Sequence, residues 1–329
     1  MTVNQASIGA TPSRSGFLRR IAVEYGQELI VFSAIIALFI VVSIVNPRFI
    51  SANNLTTIFA GNAYIAVAAI GMSMVIITGH IDVSVGALIG VLATISGSLA
   101  VAGYPIWFAW LAPVLVGMAI NSFIGILVAY ARIPSIVVTL GAMSILRGGL
   151  ISVTGGDWIT DLPSGFMIAQ KRFFDIPAPL IFMVVLTVLA ALWMRHTPFG
   201  RSLYAIGGNK EAALATGIPI ARRTVMVFAI HGAFAGLATI LFATQLQVIQ
   251  STVPPNLELT IITASVIGGV SILGGTGTVI GSTMAAILFA TIGSALIFVN
   301  VSAYWLRAVI GLLILATVLA DMWRRRAKS

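Results

Sequence analysis

The chain has 329 residues, 59% of them hydrophobic and 8% charged, against the roughly 25% charge of a soluble domain. That excludes an ordinary soluble enzyme and specifies a polytopic membrane protein. The net charge of +9 comes from basic residues clustered at the ends of apolar runs, a pattern that sets membrane topology rather than nucleic-acid binding. Cysteine is absent, so the chain has no disulfide, thiolate nucleophile or Cys-ligated metal.

A bilayer span needs roughly 17–25 mostly apolar residues. Arg14, Arg19 and Arg20 precede the first apolar run, and no small-residue cleavage site follows it. Residues 1–28 therefore read as a cytoplasmic tail before an uncleaved span. That span, about 29–45, runs outward and stops at Asn46 and Pro47. The second, 57–78, returns; the third, 83–102, goes out to a turn at Gly103, Tyr104 and Pro105. The fourth, 106–130, comes in and is anchored by Arg132, and the fifth, 136–153, goes out with Arg147 inside it. A polar outer segment, 155–177, carries Asp157, Trp158, Asp161, Lys171, Arg172 and Asp175. The sixth span, 178–194, leads in to a polar island, 195–223. The seventh, 225–246, goes out to Pro254 and Pro255, the eighth, 259–272, comes in, the ninth, 279–298, goes out, and the tenth, 304–320, comes in. Arg324, Arg325, Arg326 and Lys328 mark a basic cytoplasmic tail, 322–329. The expected fold is all-α, a single transmembrane domain over 29–321 with about ten helices and both termini inside. Lys171, Arg172 and Arg48 are the basic residues this scheme leaves outside.

A faint internal repeat is visible. Gly79 matches Gly274 and Gly86 matches Gly281, each 195 residues on. Each pair sits between an inward and an outward span, which fits a duplication about an axis along the membrane normal.

Catalytic signatures are missing. Gly207, Gly208, Asn209 and Lys210 do not make a P-loop, no histidines lie four residues apart, and no serine sits in a nucleophile elbow. His80, His196 and His231 are scattered and read as interface residues. No metal site is expected.

Three stretches carry the functional reading. The island holds Arg195, Arg201, Lys210, Arg222 and Arg223, which places it inside. Within it, Asn209, Glu211, Ala212, Ala213 and the closing Gly217 read as a short helix ended by glycine, with Pro219 barring its continuation. Such a helix is either a docking element or part of a passive connection. Asp82 is the only acidic residue between Glu28 and Asp157, and a carboxylate near membrane depth suggests function. Gly79, Asp82, Ser84 and Gly86 either line a path or make an inner turn in which Asp82 or Ser84 caps the third span. Residues 268–277 hold five glycines, Gly274 and Gly275 among them, and permit close packing or a flexible turn. Glu258 opens the eighth span as a charge favoured by the helix dipole.

Five motifs in order resemble the permease subunits of ribose-type bacterial sugar ABC importers. They are Asn46, Pro47, Arg48 and Phe49; Gly79 to Ser84 with His80 and Val83 replacing a glycine and a leucine; Pro134, Ile136, Val138, Thr139, Leu140, Gly141, Ile145, Arg147 and Gly148 with Val137 inserted; Tyr204 to Gly217; and Gly268 to Gly277. The resemblance covers about 47–321. It implies two permeases, identical or related, and two ATPase subunits that bind the ATP, so that this chain needs no cofactor of its own. It also implies a periplasmic sugar-binding protein that delivers the solute. It makes Asn209, Glu211, Ala212, Ala213 and Gly217 a coupling helix seated in a groove of the ATPase. The stretch from Thr154 to Ile159 is most similar to the branch that includes rhamnose and autoinducer-2 importers. The rival class is an ion-coupled secondary transporter, for which only Asp82 could carry the ion.

Overall fold

The computed structural model describes residues 26–252, 254–302 and 304–326. Arg14, Arg19, Arg20 and Lys328, and the side chains of Arg324, Arg325 and Arg326, lie outside what is described. The helices are α1 (Gly26–Val45), α2 (Ala52–Phe59), α3 (Ala63–Ile77), α4 (Val85–Val101), α5 (Ile106–Ala129), α6 (Ser135–Thr154), α7 (Ala178–His196), α8 (Pro198–Gly208), α9 (Lys210–Ala215), α10 (Ile220–Ala243), α11 (Leu257–Ile267), α12 (Val279–Phe298) and α13 (Trp305–Arg326). Among the described residues, seven helical segments are long and apolar enough to cross a bilayer, α2 and α3 counting as one. Val85–Val101, Leu257–Ile267 and Trp305–Thr317 are shorter apolar helices. Two of the short helices, Val85–Val101 and Leu257–Ile267, meet in the interior described below.

Helix α3 is the centre. It is apolar on every side, and every residue in it except Tyr64 is buried, as a helix without a polar face must be. Helices α7, α10, α11 and α12 pack around it. Peripheral α1 and α7 instead expose apolar faces, through Ile36, Ile40 and Ile44 on α1 and Val184, Val188 and Leu192 on α7, which suits contact with lipid. Helices α5 and α10 form the closest pair because glycines remove the side chains between them. A Cβ at Gly232 would collide with the backbone of Gly117, and one at Gly125 would lie 3.0 Å from Val225 Cα. In a membrane this small-residue packing replaces the hydrophobic drive that water supplies elsewhere.

The repeat extends well beyond two glycine pairs. Helices α3 and α11 begin at residues 63 and 257, and α4 and α12 at 85 and 279, 194 residues apart each time and one residue from the shift of 195 between the glycines. Helices α5 and α13 begin at 106 and 305. Neighbour relations repeat as well: α1 packs beside α12, and α10 beside α4.

The stretch 155–177 is structured, a difference from the polar outer connection expected there. Trp158–Ile159 (β1) pairs antiparallel with Ile249–Gln250 (β4), and Arg172–Phe173 (β2) with Ile176–Pro177 (β3). Phe166 and Met167 are buried against Ala93, Ala100, Ala109 and Ala243. Ala169 N–H donates to Thr244 Oγ1 at 3.1 Å, and the Gln170 side chain donates to Gln245 O at 3.0 Å. These anchors make the segment a cover over one end of the bundle.

Candidate functional site

The chain between α3 and α4 does not turn and leave the bundle. It passes Gly79, whose φ of 80° is left-handed, and then runs without helix through Ile81 and Asp82. Ile81 N–H donates to Ser135 Oγ at 3.3 Å, which ties the stretch to α6. Asp82 is fully buried. Its Oδ1 accepts from the N–H of Ser84 at 2.8 Å and from the Ser84 hydroxyl, a local turn that carboxylate side chains favour. Its Oδ2 accepts from Asn121 Nδ2 of α5 at 3.2 Å and lies 3.3 Å from His231 Nε2 of α10. Asn121, Ser84 and His231 are also buried. A carboxylate withdrawn from water needs this number of partners. The node therefore joins the α3–α4 connection to α5 and α10.

This node revises the sequence reading in two places. Ser84 occupies the cap position of α4, but its side chain makes no cap bond to the helix and donates to Asp82 instead. His231 is a core residue facing Asp82, and not the interface residue its isolation in the sequence suggested. Its Nδ1 packs over Gly71, where a Cβ would come within 2.8 Å. Asn121 was not singled out. The one available signal was that a carboxylate at this depth requires partners, without saying where.

Both glycine turns meet. Gly274 and Gly275 have φ of 84° and 80°, a conformation that costs other residues about 1 kcal/mol or more. Gly275 N–H donates to Ile77 O at 2.8 Å, and a Cβ at Gly274 would lie 3.0 Å from Gly79 N. The repeat-related Gly79 and Gly274 thus touch. Gly86 serves a different contact: a side chain there would collide with Glu258, which opens α11.

The island folds onto these turns. Thr197 caps α8, accepting from Gly200 N–H at 3.1 Å, and Pro198 sits at the first helical position. Phe199, Leu203 and Ile206 are buried. A Cβ at Gly207 would collide with Ile77 O, and Tyr204 donates to Gly277 O at 2.9 Å. Helix α8 was not anticipated. Its Thr-Pro start was the missed signal. Burial pushes the Tyr204 hydroxyl above its ordinary pKa, with a smaller contribution from the Glu28 carboxylate.

Beyond α8, α9 projects from the bundle. Asn209 Oδ1 accepts from Ala212 N–H at 2.9 Å, so the helix begins where a capping residue stands. Gly217 has φ of 79°, and Ile218 N–H returns to Ala213 O at 3.1 Å, a glycine stop. Ala213 is buried, while Glu211, Ala212, Leu214 and Ala215 are exposed. The exposed face is short, with Lys210 and Glu211 at its start and small alanines beside Leu214.

Repeated apolar crossings, a buried polar node between them and a capped helix held outside the bundle are the parts of a membrane transport protein. A family described as the permease component of branched-chain amino acid transport systems matches residues 54–318. The "Autoinducer 2 import system permease protein LsrC" of Salmonella typhi is 36% identical over 300 residues, covering 91% of this chain and 86% of that one. The protein of the same name from Yersinia enterocolitica is also 36% identical, covering 91% and 83%, and that from Photorhabdus laumondii is 34% identical, covering 91% and 90%. No solved structure matches the chain. The chain belongs to this permease family; it is an integral membrane transport component and not an enzyme.

Proposed function

We propose that the chain is the membrane-spanning subunit of an ATP-driven importer in the bacterial inner membrane. It takes a monosaccharide or similarly small polyol from a periplasmic binding protein and passes it to the cytoplasm. Two such permeases, identical or related, assemble with two ATPase subunits. Both termini and the island face the cytoplasm, in keeping with their basic residues. The named relatives import autoinducer 2, which makes it the first solute to test; the rhamnose and ribose classes come next.

One observation carries this reading. Helix α9 presents an exposed Glu211, Ala212 and Ala215 while α8 holds its base against the meeting point of Gly79 and Gly274. Movement of α9 in an ATPase groove would reach the turns at the centre of the bundle through one rigid element. Asn209, Glu211, Ala212, Ala213 and Gly217 are the coupling residues, and Gly79, Asp82, Ser84, Gly86, Gly274 and Gly275 belong to the moving interior. Glu211→Lys inverts the charge where the helix dipole favours a carboxylate. Gly217→Val places a β-branched residue at φ 79°, at a cost of about 1–2 kcal/mol. Both variants are expected to insert normally and to lose ATPase co-purification or ATP-dependent uptake. Parental assembly and uptake in both would remove α9 from the coupling role.

The buried Asp82 and His231 pair favours a second reading, an ion-coupled carrier, since such pairs serve proton relays in other transporters. Proteoliposomes separate the two. Uptake that requires internal ATP and survives a protonophore supports the importer, and the opposite pattern supports the carrier.

A further inference from the structure

Arg147 is the one ionisable residue on α6, and neither the coupling route nor the Asp82 node uses it. It lies twelve residues from Ser135 and seven from Thr154, roughly 18 Å and 10 Å from the two helix ends at 1.5 Å per residue. It is therefore at membrane depth. Its Nη2 is 3.7 Å from Glu258 Oε1, and the two side chains are 43% and 9% exposed. Among the described residues, neither the buried Arg147 Nε nor Glu258 Oε2 has a hydrogen-bond partner.

A charged side chain left partly exposed at this depth cannot face hydrocarbon. Even permissive scales charge about 2.5–3.5 kcal/mol for arginine at the centre of a span, and a single 3.7 Å contact satisfies few of its five donors. Along α6, Arg147 stands near exposed Ser144 as well as exposed apolar Leu140 and Ile151, and Gly141 and Gly148 to its sides leave open space, since a Cβ at either would meet nothing within 4 Å. Glu258 is at the start of the short α11, packed against Gly86 at the start of the short α4. Two helices that begin inside the membrane bring their N-termini to this point, an arrangement that carriers use for solute sites.

We propose that Arg147 is a solute-contacting residue of the translocation path, donating its unused N–H groups to hydroxyl oxygens of a neutral polyhydroxylated solute. Glu258 is its positioning residue. It orients the guanidinium and cancels its charge, so that the path accepts an uncharged polyol without trapping an anion. This inference rests on the importer reading above and names the solute contact within it.

The cysteine-free chain permits a direct test. Arg147→Cys, in the complete complex in proteoliposomes, is expected to react with a water-soluble cationic methanethiosulfonate at least tenfold faster than Leu189→Cys, an exposed apolar position of α7. Equal rates would place position 147 against lipid or protein and overturn the proposal. Uptake of labelled autoinducer 2, rhamnose and ribose is measured on the parent, Arg147→Lys, Glu258→Gln and the charge swap Arg147→Glu/Glu258→Arg. Arg147→Lys, which keeps the charge and loses the planar fork, should raise KM at least tenfold with the maximal rate within twofold. Glu258→Gln should raise KM as well. Charge swapping should leave KM high; a swap that restores the parental KM would show an internal ion pair without solute contact and overturn the proposal. KM within twofold of the parent in Arg147→Lys would do the same. ATP-independent uptake, or uptake of none of the three solutes by the parent, would instead sink the importer reading, whatever the labelling rates.

Discussion

Removing the carboxylate of Asp82 is expected to destabilise the bundle before it changes transport selectivity. Asp82→Ala takes away the acceptor for Ser84 N–H, Ser84 Oγ and Asn121 Nδ2, and leaves His231 Nε2 facing a void. All of these residues are buried, so water cannot replace the lost partner at no cost. Breaking a buried pair by deleting one member costs about 3–5 kcal/mol in soluble proteins. Single hydrogen bonds between membrane helices are weaker, averaging about 0.6 kcal/mol. Asp82 joins three elements and forms several such contacts, which places the expected loss near 3 kcal/mol, about a hundredfold in the folded population. His231→Ala should cost about 2–3 kcal/mol by the same argument. Together in one chain they should cost about 2 kcal/mol less than their sum, because the second change removes a group the first has already orphaned. Equilibrium unfolding in mixed micelles with rising dodecyl sulfate measures all three. Strict additivity, or an Asp82→Ala loss under 1 kcal/mol, would refute a structural role for the Asp82 node.

Gly207→Ala should bring a methyl group into Ile77 O and separate α8 from the α3 end, at about 1–3 kcal/mol. Uptake should fall while α9 itself, capped by Asn209, stays folded; parental uptake would show that α8 is not the connecting element. Single cysteines at Asn209 and Gly103 should differ in labelling of intact cells by an impermeant reagent, the first protected and the second reactive. Labelling at Asn209 would invert the topology.

Much of the architecture was legible from apolar run length alone, since a bilayer imposes one length on every crossing. Helices α1, α5, α7 and α12 fall where the runs fall. The end of α9 was legible because Gly217 and Pro219 are local signals. The interior was not. Asp82 was visible as an anomaly, but its partners Asn121 and His231 stand 39 and 149 residues away in the chain, and each looks ordinary on its own helix. Helix α8 was hidden because a polar island reads as a loop until burial of Phe199, Leu203 and Ile206 is known. The repeat was visible only where glycine stands in both copies, at Gly79 and Gly274 and at Gly86 and Gly281; the matching helix starts came from the structure.

The central claim is that α9 is the contact through which an ATPase drives this bundle. Ala212→Cys, on the exposed face of α9 in a chain without other cysteines, can be carried into the complex with the ATPase and treated with a short bifunctional reagent. The account predicts an adduct between this chain and the ATPase whose yield changes between the nucleotide-free and ATP-bound states, with none from Gly103→Cys. An assembled, ATP-hydrolysing complex that gives no adduct at position 212 would contradict it.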